Sequence, residues 1–260
     1  MKVGILLPNV GGLGAPDGGV HDLIELARTA EALGYDSVWL SDHVVAPDGV
    51  DLRYPLAVTE AAPRAEDAAI YDPLVLLSSL AQVTERVEIG VSVLAIPYRH
   101  PLVTAKLLST ADQLANGRIV LGAGAGWARA EFAALGLPDD YFAHRGSLTD
   151  DYLRAIKEAW IATGPSWYVG RYARFRNVGT FPHPVRGPHI PIWVGGTTTR
   201  ALQRAVRLGD GFIATPSEPE QLRATVEQLH GLAERDRRDP AELTVAMVSR
   251  LTVSERAAAA

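Results

Sequence analysis

Two hydrophobic patterns alternate along this chain. Short apolar runs at Val3–Leu7, Ser37–Ser41, Val87–Ile96, Arg118–Ala123, Ile190–Val194, Gly211–Thr215 and Leu243–Val248 read as seven strands. Between them, apolar residues recur three and four apart, the spacing of one helix face. Leu23, Leu26, Ala27, Ala30 and Leu33 predict a helix that stops at Gly34. Pro73 and Pro101 open two more, the second ending at Asn116-Gly117, and Leu148, Tyr152, Ile156 and Ala159 mark another. Ala201 to Leu208 and Leu222 to Leu232 complete the series. Helix starts at proline and stops at glycine follow the usual asymmetry of helix ends.

The strands are mostly unbroken apolar runs, which points to a parallel sheet covered by helices. Repeated β–α units build either a doubly wound sheet or a (β/α) barrel. The first strand is followed by Pro8-Asn9-Val10-Gly11-Gly12 and not by a dinucleotide-binding glycine fingerprint. Polar and glycine-rich residues follow several different strands, the pattern of a barrel's C-terminal mouth. The expected layout is one domain over 1–260, with long polar segments at 44–72 and 163–189. Such segments serve as lids and substrate walls or as variable surface loops.

Composition narrows the chemistry. The 260 residues include no cysteine, so disulfides, zinc–thiolate sites, iron–sulfur clusters and thiol nucleophiles are excluded. The net charge of −5 lacks the basic footprint of a nucleic-acid binder. No run is long and apolar enough for a membrane span, and a cytoplasmic protein is expected. The seven histidines show no metal-site spacing, and there is no G-x-S-x-G elbow.

Four stretches carry candidate chemistry. Asp42 and His43 close the second strand, where a histidine can exchange a proton with a bound molecule or serve structurally. Successive strand residues point to opposite faces, so the two need not touch. Gly90 to Pro97 ends the third strand and leads into a helix. Gly122 to Trp127 is glycine-dense, which lets a flat ligand approach the backbone. Trp127 either stacks on that ligand or packs in the core. Gly195-Gly196-Thr197-Thr198 joins a strand to a helix N-terminus, a setting suited to a phosphate and equally to an ordinary threonine cap.

Together, GYDSVWLSDH (34–43), TERVEIGVSVLAIPYRHPLVTAK (84–106), LSTADQLANGRIVLGAGAGW (108–127) and PIWVGGTTTRALQRAVRLGDGF (191–212) resemble the luciferase-like monooxygenase superfamily. The similarity is to its coenzyme F420-dependent oxidoreductases. The resemblance implies a TIM-type (β/α)8 barrel with a flavin-like ring over its mouth. It implies that Asp42 and His43 lie near the ring and that a cis peptide joins Ser92 and Val93 behind it. It also implies that Gly124, Gly126 and Trp127 line the mouth and that Gly195 to Thr198 hold the cofactor phosphate. The expected activity is hydride transfer between F420 and a small organic substrate, with His43 as proton partner. An FMN-dependent monooxygenase served by a separate reductase, and a non-catalytic flavin-binding barrel, are the alternatives. Relatives pair through barrel helices, so a homodimer is expected.

The chain departs from the pattern twice. Trp127 stands where the sugar-phosphate dehydrogenases of the family carry a carboxylate. Only seven strands are readable, so the expectation is either an open barrel or a free strand edge covered by another chain.

Overall fold

The computed structural model describes residues 1–10, 19–46, 69–215 and 218–249. Most of the expected 44–72 segment therefore lies outside the described residues. The main sheet contains β1 (Gly4–Leu6), β2 (Ser37–Leu40), β3 (Glu88–Ala95), β4 (Ile119–Gly124), β7 (Ile192–Gly195), β8 (Gly211–Ala214) and β9 (Thr244–Met247). These are the seven strands read from the sequence, with bounds shifted by at most two residues. They pair in parallel in the order β1-β2-β3-β4-β7-β8-β9. Among the described residues β1 and β9 do not pair with each other, so the sheet is a curled half-barrel rather than a closed ring.

Helices α1 (Val20–Ala32), α2 (Pro73–Val83), α3 (Pro101–Leu114), α6 (Arg145–Ile161), α7 (Thr199–Leu208) and α8 (Pro219–Arg235) cover the outer face. Side chains alternate across each strand. Val38, Leu40, Ile89, Val91, Leu121, Ile192, Val194 and Phe212 turn outward and pack with these helices into one core. Each such side chain contributes about 1.5–3 kcal/mol by leaving water.

The concave face is built differently. Gly90, Gly122, Gly124, Gly195 and Gly211 alternate with the core residues, and Trp39 and Trp193 fill the floor above them. The two indoles meet with ring centroids 5.2 Å apart, although β3 and β4 lie between their strands. A Cβ on Gly90 would fall 2.2 Å from the Trp39 ring, so glycine is what lets the indole lie on the sheet.

Two local devices fix helix ends. Asp72 caps α2 by accepting from the Leu74 and Val75 N–H groups at 2.8 and 3.1 Å, and Pro73 follows it. At the other end, the buried Arg118 guanidinium donates to the carbonyls of Ala81, Thr84, Val87 and Ala115 and to the Thr84 hydroxyl. A cation at a helix C-terminus is favoured by the carbonyls left unpaired there.

Four short elements were not foreseen. The 163–189 segment is not simply a long loop: β5 (Ser166–Val169) and β6 (Arg174–Val178) form an antiparallel hairpin. It is tied to α6 by Asp151, whose carboxylate accepts from the Tyr168 hydroxyl and from the Tyr172 and Ala173 N–H groups. Between β4 and α6 lie two short helices, α4 (Arg129–Ala134) and α5 (Asp139–Ala143). No described helix is long and apolar enough to cross a membrane.

Candidate functional site

The site grows from the C-terminal ends of β2, β3, β4 and β7. The exit of β2 is pinned by Asn9, which is fully buried. Its amide accepts from the Ser41 N–H at 2.8 Å and donates to the carbonyls of Ser41 and Tyr71 at 2.8 and 2.9 Å. This pair of hydrogen bonds to Ser41 fixes the backbone that presents Asp42 and His43.

Asp42 and His43 diverge, as strand geometry requires. The Asp42 carboxylate faces inward, with no exposed side-chain surface. It accepts the Ala95 N–H at 2.9 Å and both ends of the Arg99 guanidinium at 2.8 Å. Arg99 also donates to Asp72 at 2.8 Å. Burial pushes the Asp42 carboxyl above its ordinary range, with the Arg99 fork pulling it back. Arg99 is itself drawn down by burial but held above its usual range by Asp42 and Asp72. Asp42 therefore locks the end of β3 to the end of β2.

His43 is held by Glu131, a residue the sequence reading did not single out. Glu131 is wholly buried on α4. One oxygen lies 2.8 Å from His43 Nδ1 and accepts the Tyr98 hydroxyl at 2.9 Å. The other accepts the Val44 N–H at 2.9 Å. Burial acts to raise the Glu131 carboxyl, but its bonds to His43, Val44 and Tyr98 hold it below the ordinary range. Tyr98 is pushed upward by burial and by the neighbouring Glu131 charge, so its hydroxyl keeps its proton. An ionised Glu131 requires a proton on Nδ1, which leaves Nε2 of a neutral His43 as the basic nitrogen. Nε2 has no hydrogen-bond partner among the described residues.

Trp127 is not a core tryptophan. It is 38% exposed and stands edge-on to the His43 ring, with centroids 5.8 Å apart. His43 itself is 9% exposed.

The Ser92–Val93 peptide is cis, as the resemblance implies. The register between β3 and β4 shifts over Val91 to Leu94, so β3 bulges there. Val93 projects over β4 and β7. A Cβ on Gly124 would meet its Cγ2 at 2.4 Å, and one on Gly195 would meet its Cγ1 at 2.6 Å. Gly124, read from sequence as backbone for a flat ligand, and Gly195, read as part of the phosphate stretch, directly accommodate Val93. Gly126 has φ +75° and sits under Tyr98 and Phe132, shaping the turn from β4 into α4.

Beyond β7, Gly196 has φ +146°, and a Cβ there would lie 2.8 Å from that of Ala201. Thr198 caps α7, accepting the Ala201 N–H at 3.2 Å. Thr197 and Thr198 are exposed at that helix end. The threonine cap is thus real, and among the described residues it leaves the Thr197 hydroxyl and the Thr199 and Arg200 N–H groups without a hydrogen-bond partner, where an anion is favoured.

The family model described as luciferase-like monooxygenase matches residues 1–260. The chain belongs to this family. An F420-dependent glucose-6-phosphate dehydrogenase of Amycolatopsis mediterranei is 30% identical over 205 residues, spanning 78% of this chain and 56% of that protein. An FMNH2-dependent dimethylsulfone monooxygenase of Pseudomonas putida is 28% identical over 163 residues, 63% of this chain and 44% of the relative. The chain thus spans about half the length of these two relatives. Among solved structures, an F420-dependent secondary alcohol dehydrogenase in complex with an F420-acetone adduct superposes with a TM-score of 0.76. That match covers 95% of this chain and 68% of the other, at 21% identity. This luciferase-like chain therefore has the TIM-barrel fold of its neighbours, in half-barrel form.

Proposed function

We propose that this luciferase-like protein binds coenzyme F420 at the mouth of the half-barrel and transfers a hydride between it and a small organic substrate. The observation that carries the reading is the His43–Glu131 pair, which leaves one imidazole nitrogen without a hydrogen-bond partner among the described residues, beside an exposed tryptophan. The concave lining fits a flat ring, because Trp39, Trp193 and Val93 lie down on the glycines beneath them and would give the ring a level apolar floor. Ser92, Val93, Gly124 and Gly126 would form the platform behind the ring. Gly195, Gly196, Thr197 and Thr198 would hold its phosphate. The 30% identical relative is F420-dependent, which supports the deazaflavin over FMN.

When bound, a deazaflavin supplies two-electron chemistry, leaving the protein to place the ring and manage one proton. His43 Nε2 moves that proton, Glu131 orients the imidazole, and Trp127 borders the substrate side. Asp42 acts at one remove, by holding the strand end on which His43 sits.

The test titrates the purified protein separately with F420 and with FMN, following absorbance and fluorescence. Saturable F420 binding, with a much weaker response to FMN, is the expected result. Preferential FMN binding would replace this reading with the flavin monooxygenase. His43→Ala should then lower turnover about 10²–10⁴-fold with little change in cofactor affinity. Unchanged turnover in that variant would move the proton role elsewhere.

A further inference from the structure

Two arginines beyond the end of β4 share one aromatic ring. Arg129 opens α4, two residues after Trp127, and its guanidinium carbon lies 4.4 Å from the centroid of the Phe142 ring on α5. Arg145 opens α6 and approaches the same ring, also at 4.4 Å. The two guanidinium carbons therefore stand within twice that distance of each other.

The ring they share is connected to the site. Phe142 meets Phe132 edge to face with centroids 5.3 Å apart, and Phe132 meets Tyr98 in the same way at 5.1 Å. Tyr98 gives its hydroxyl to Glu131, the residue that grips His43. Three rings in contact thus fix the arginine pair relative to the imidazole.

Neither cation is neutralised. Arg129 is exposed and has no hydrogen bond or ion pair among the described residues. Arg145 is half-buried and donates to the Phe142 carbonyl at 2.9 Å, with no carboxylate partner among the described residues. The acids close by in sequence, Asp139 and Asp140, lie in the first turn of α5, and Asp140 faces His144 at 3.8 Å. By contrast Arg99, Arg204 and Arg207 each hold a carboxylate.

Covering Phe142 requires apolar stems, which methionine would supply without bringing two like charges together. A guanidinium over a ring is held there by its charge and keeps N–H groups for other acceptors. The edge of the ring between them is itself positive. An oxyanion at that edge relieves the repulsion and takes charge-assisted hydrogen bonds from both arginines.

We infer that Arg129 and Arg145 bind the carboxylate or phosphate of an anionic substrate whose reacting carbon lies at His43. The inference rests on the F420 reading, which puts the cofactor phosphate beyond β7 and leaves the side beyond β4 to the other reactant. Such a substrate passes Trp127, whose ring stands 5.8 Å from the imidazole. From Trp127 to Arg129 is two residues, about 7 Å of chain at most. The substrate class is therefore a hydride donor or acceptor with an oxyanion at the end away from the reacting carbon.

The test titrates phenyl phosphate, phenylacetate and neutral benzyl alcohol calorimetrically into the protein, with and without F420. It uses the wild type, Arg129→Gln with Arg145→Gln, and Arg174→Ala with Arg176→Ala. The last pair removes two charges from the exposed side of β6 and controls for net charge. The anions should bind the wild type and the control alike, and the Arg129/Arg145 variant about three- to thirtyfold more weakly. Benzyl alcohol should not distinguish the three proteins, and the loss should shrink as salt is raised. Arg129→Gln alone, at a side chain with no hydrogen bond to lose, should show part of the effect in a fully folded protein. Phenyl phosphate should also change the tryptophan fluorescence, and Trp127→Phe should abolish that change.

No anion binding to the wild type, equal binding by the Arg129/Arg145 variant, or an equal loss in the control overturns the inference. So does anion binding that leaves Trp127 unaffected, or a matching loss of F420 affinity, which would assign the pair to the cofactor. The arm without F420 stands alone. If F420 does not bind at all, the functional reading fails, while anion binding that needs both arginines still supports the oxyanion site.

Discussion

Replacing Glu131 by glutamine separates the charge of this residue from its shape. Both side chains fill the same buried space on α4, so no cavity is made. In the wild type one carboxylate oxygen takes the Val44 N–H and the other takes the Tyr98 hydroxyl and His43 Nδ1. Glutamine keeps a single acceptor oxygen. With that oxygen on Val44, the amide NH2 faces Tyr98 and His43, the tyrosine must turn to accept, and Nδ1 must give up its proton. The imidazole then carries its proton on Nε2, and the free nitrogen changes from acceptor to donor.

Hydrogen bonds to a charged group are worth roughly twice those between neutral groups. Three bonds weakened in this way cost about 1–3 kcal/mol in total. At about 2–4 °C per kcal/mol, the melting temperature should fall by roughly 2–12 °C. Because folding holds the Glu131 carboxyl below its ordinary range, its ionised form stabilises the protein fully above the unfolded carboxylate pKa. That contribution disappears as pH falls through the folded value. The gap between wild type and variant should therefore be widest at neutral pH and close on acidification. Turnover should fall about 10²–10⁴-fold if Nε2 is the base. Calorimetry across pH and steady-state kinetics provide the two readings. A variant with wild-type melting at neutral pH and wild-type turnover would refute both the ionised Glu131 and its control of His43.

Gly196→Asp should weaken cofactor binding in a fluorescence titration, since φ +146° and the nearby Ala201 leave no room for a side chain and the new charge repels a phosphate. Affinity equal to wild type would remove the phosphate from this loop. Arg118→Met should cost about 3–5 kcal/mol in denaturant melts, because it strips one donor group from several buried carbonyls at once. A loss under 1 kcal/mol would show that water replaces the guanidinium.

The sheet was readable because its outward residues are continuous apolar runs bounded by proline, glycine and polar residues. The phosphate-loop candidate was readable because the strand, two glycines and a threonine cap are adjacent in sequence. Glu131 was not, since it lies 88 residues from His43 and only the fold brings them together. Its helix is six residues long, too short to show a period. Arg99 was passed over for the same reason, lying 57 residues from Asp42 within what looked like a plain strand exit. The β5–β6 hairpin escaped because its strands are only four and five residues long, and on β6 Arg174, Arg176 and Asn177 leave Phe175 and Val178 as the apolar residues. Gly124 and Gly195 were found, but their immediate contact is Val93, which sequence spacing does not reveal.

The two faces of the sheet answer to separate demands. The helices pack on its convex side, where Ile89, Leu121, Val194 and Phe212 belong to the common core. Glycines and two tryptophans line the other side, and that lining adds little to the apolar core. Selection for a new ligand can therefore act at the rim, at Trp127 or along the exposed helix ends, without drawing on the margin that keeps the chain folded. The glycines beneath Trp39 and Val93 are the exception, because a methyl group there meets a neighbouring side chain at once. Substitution is therefore least costly at the edge of the dish, while sterics constrain its base.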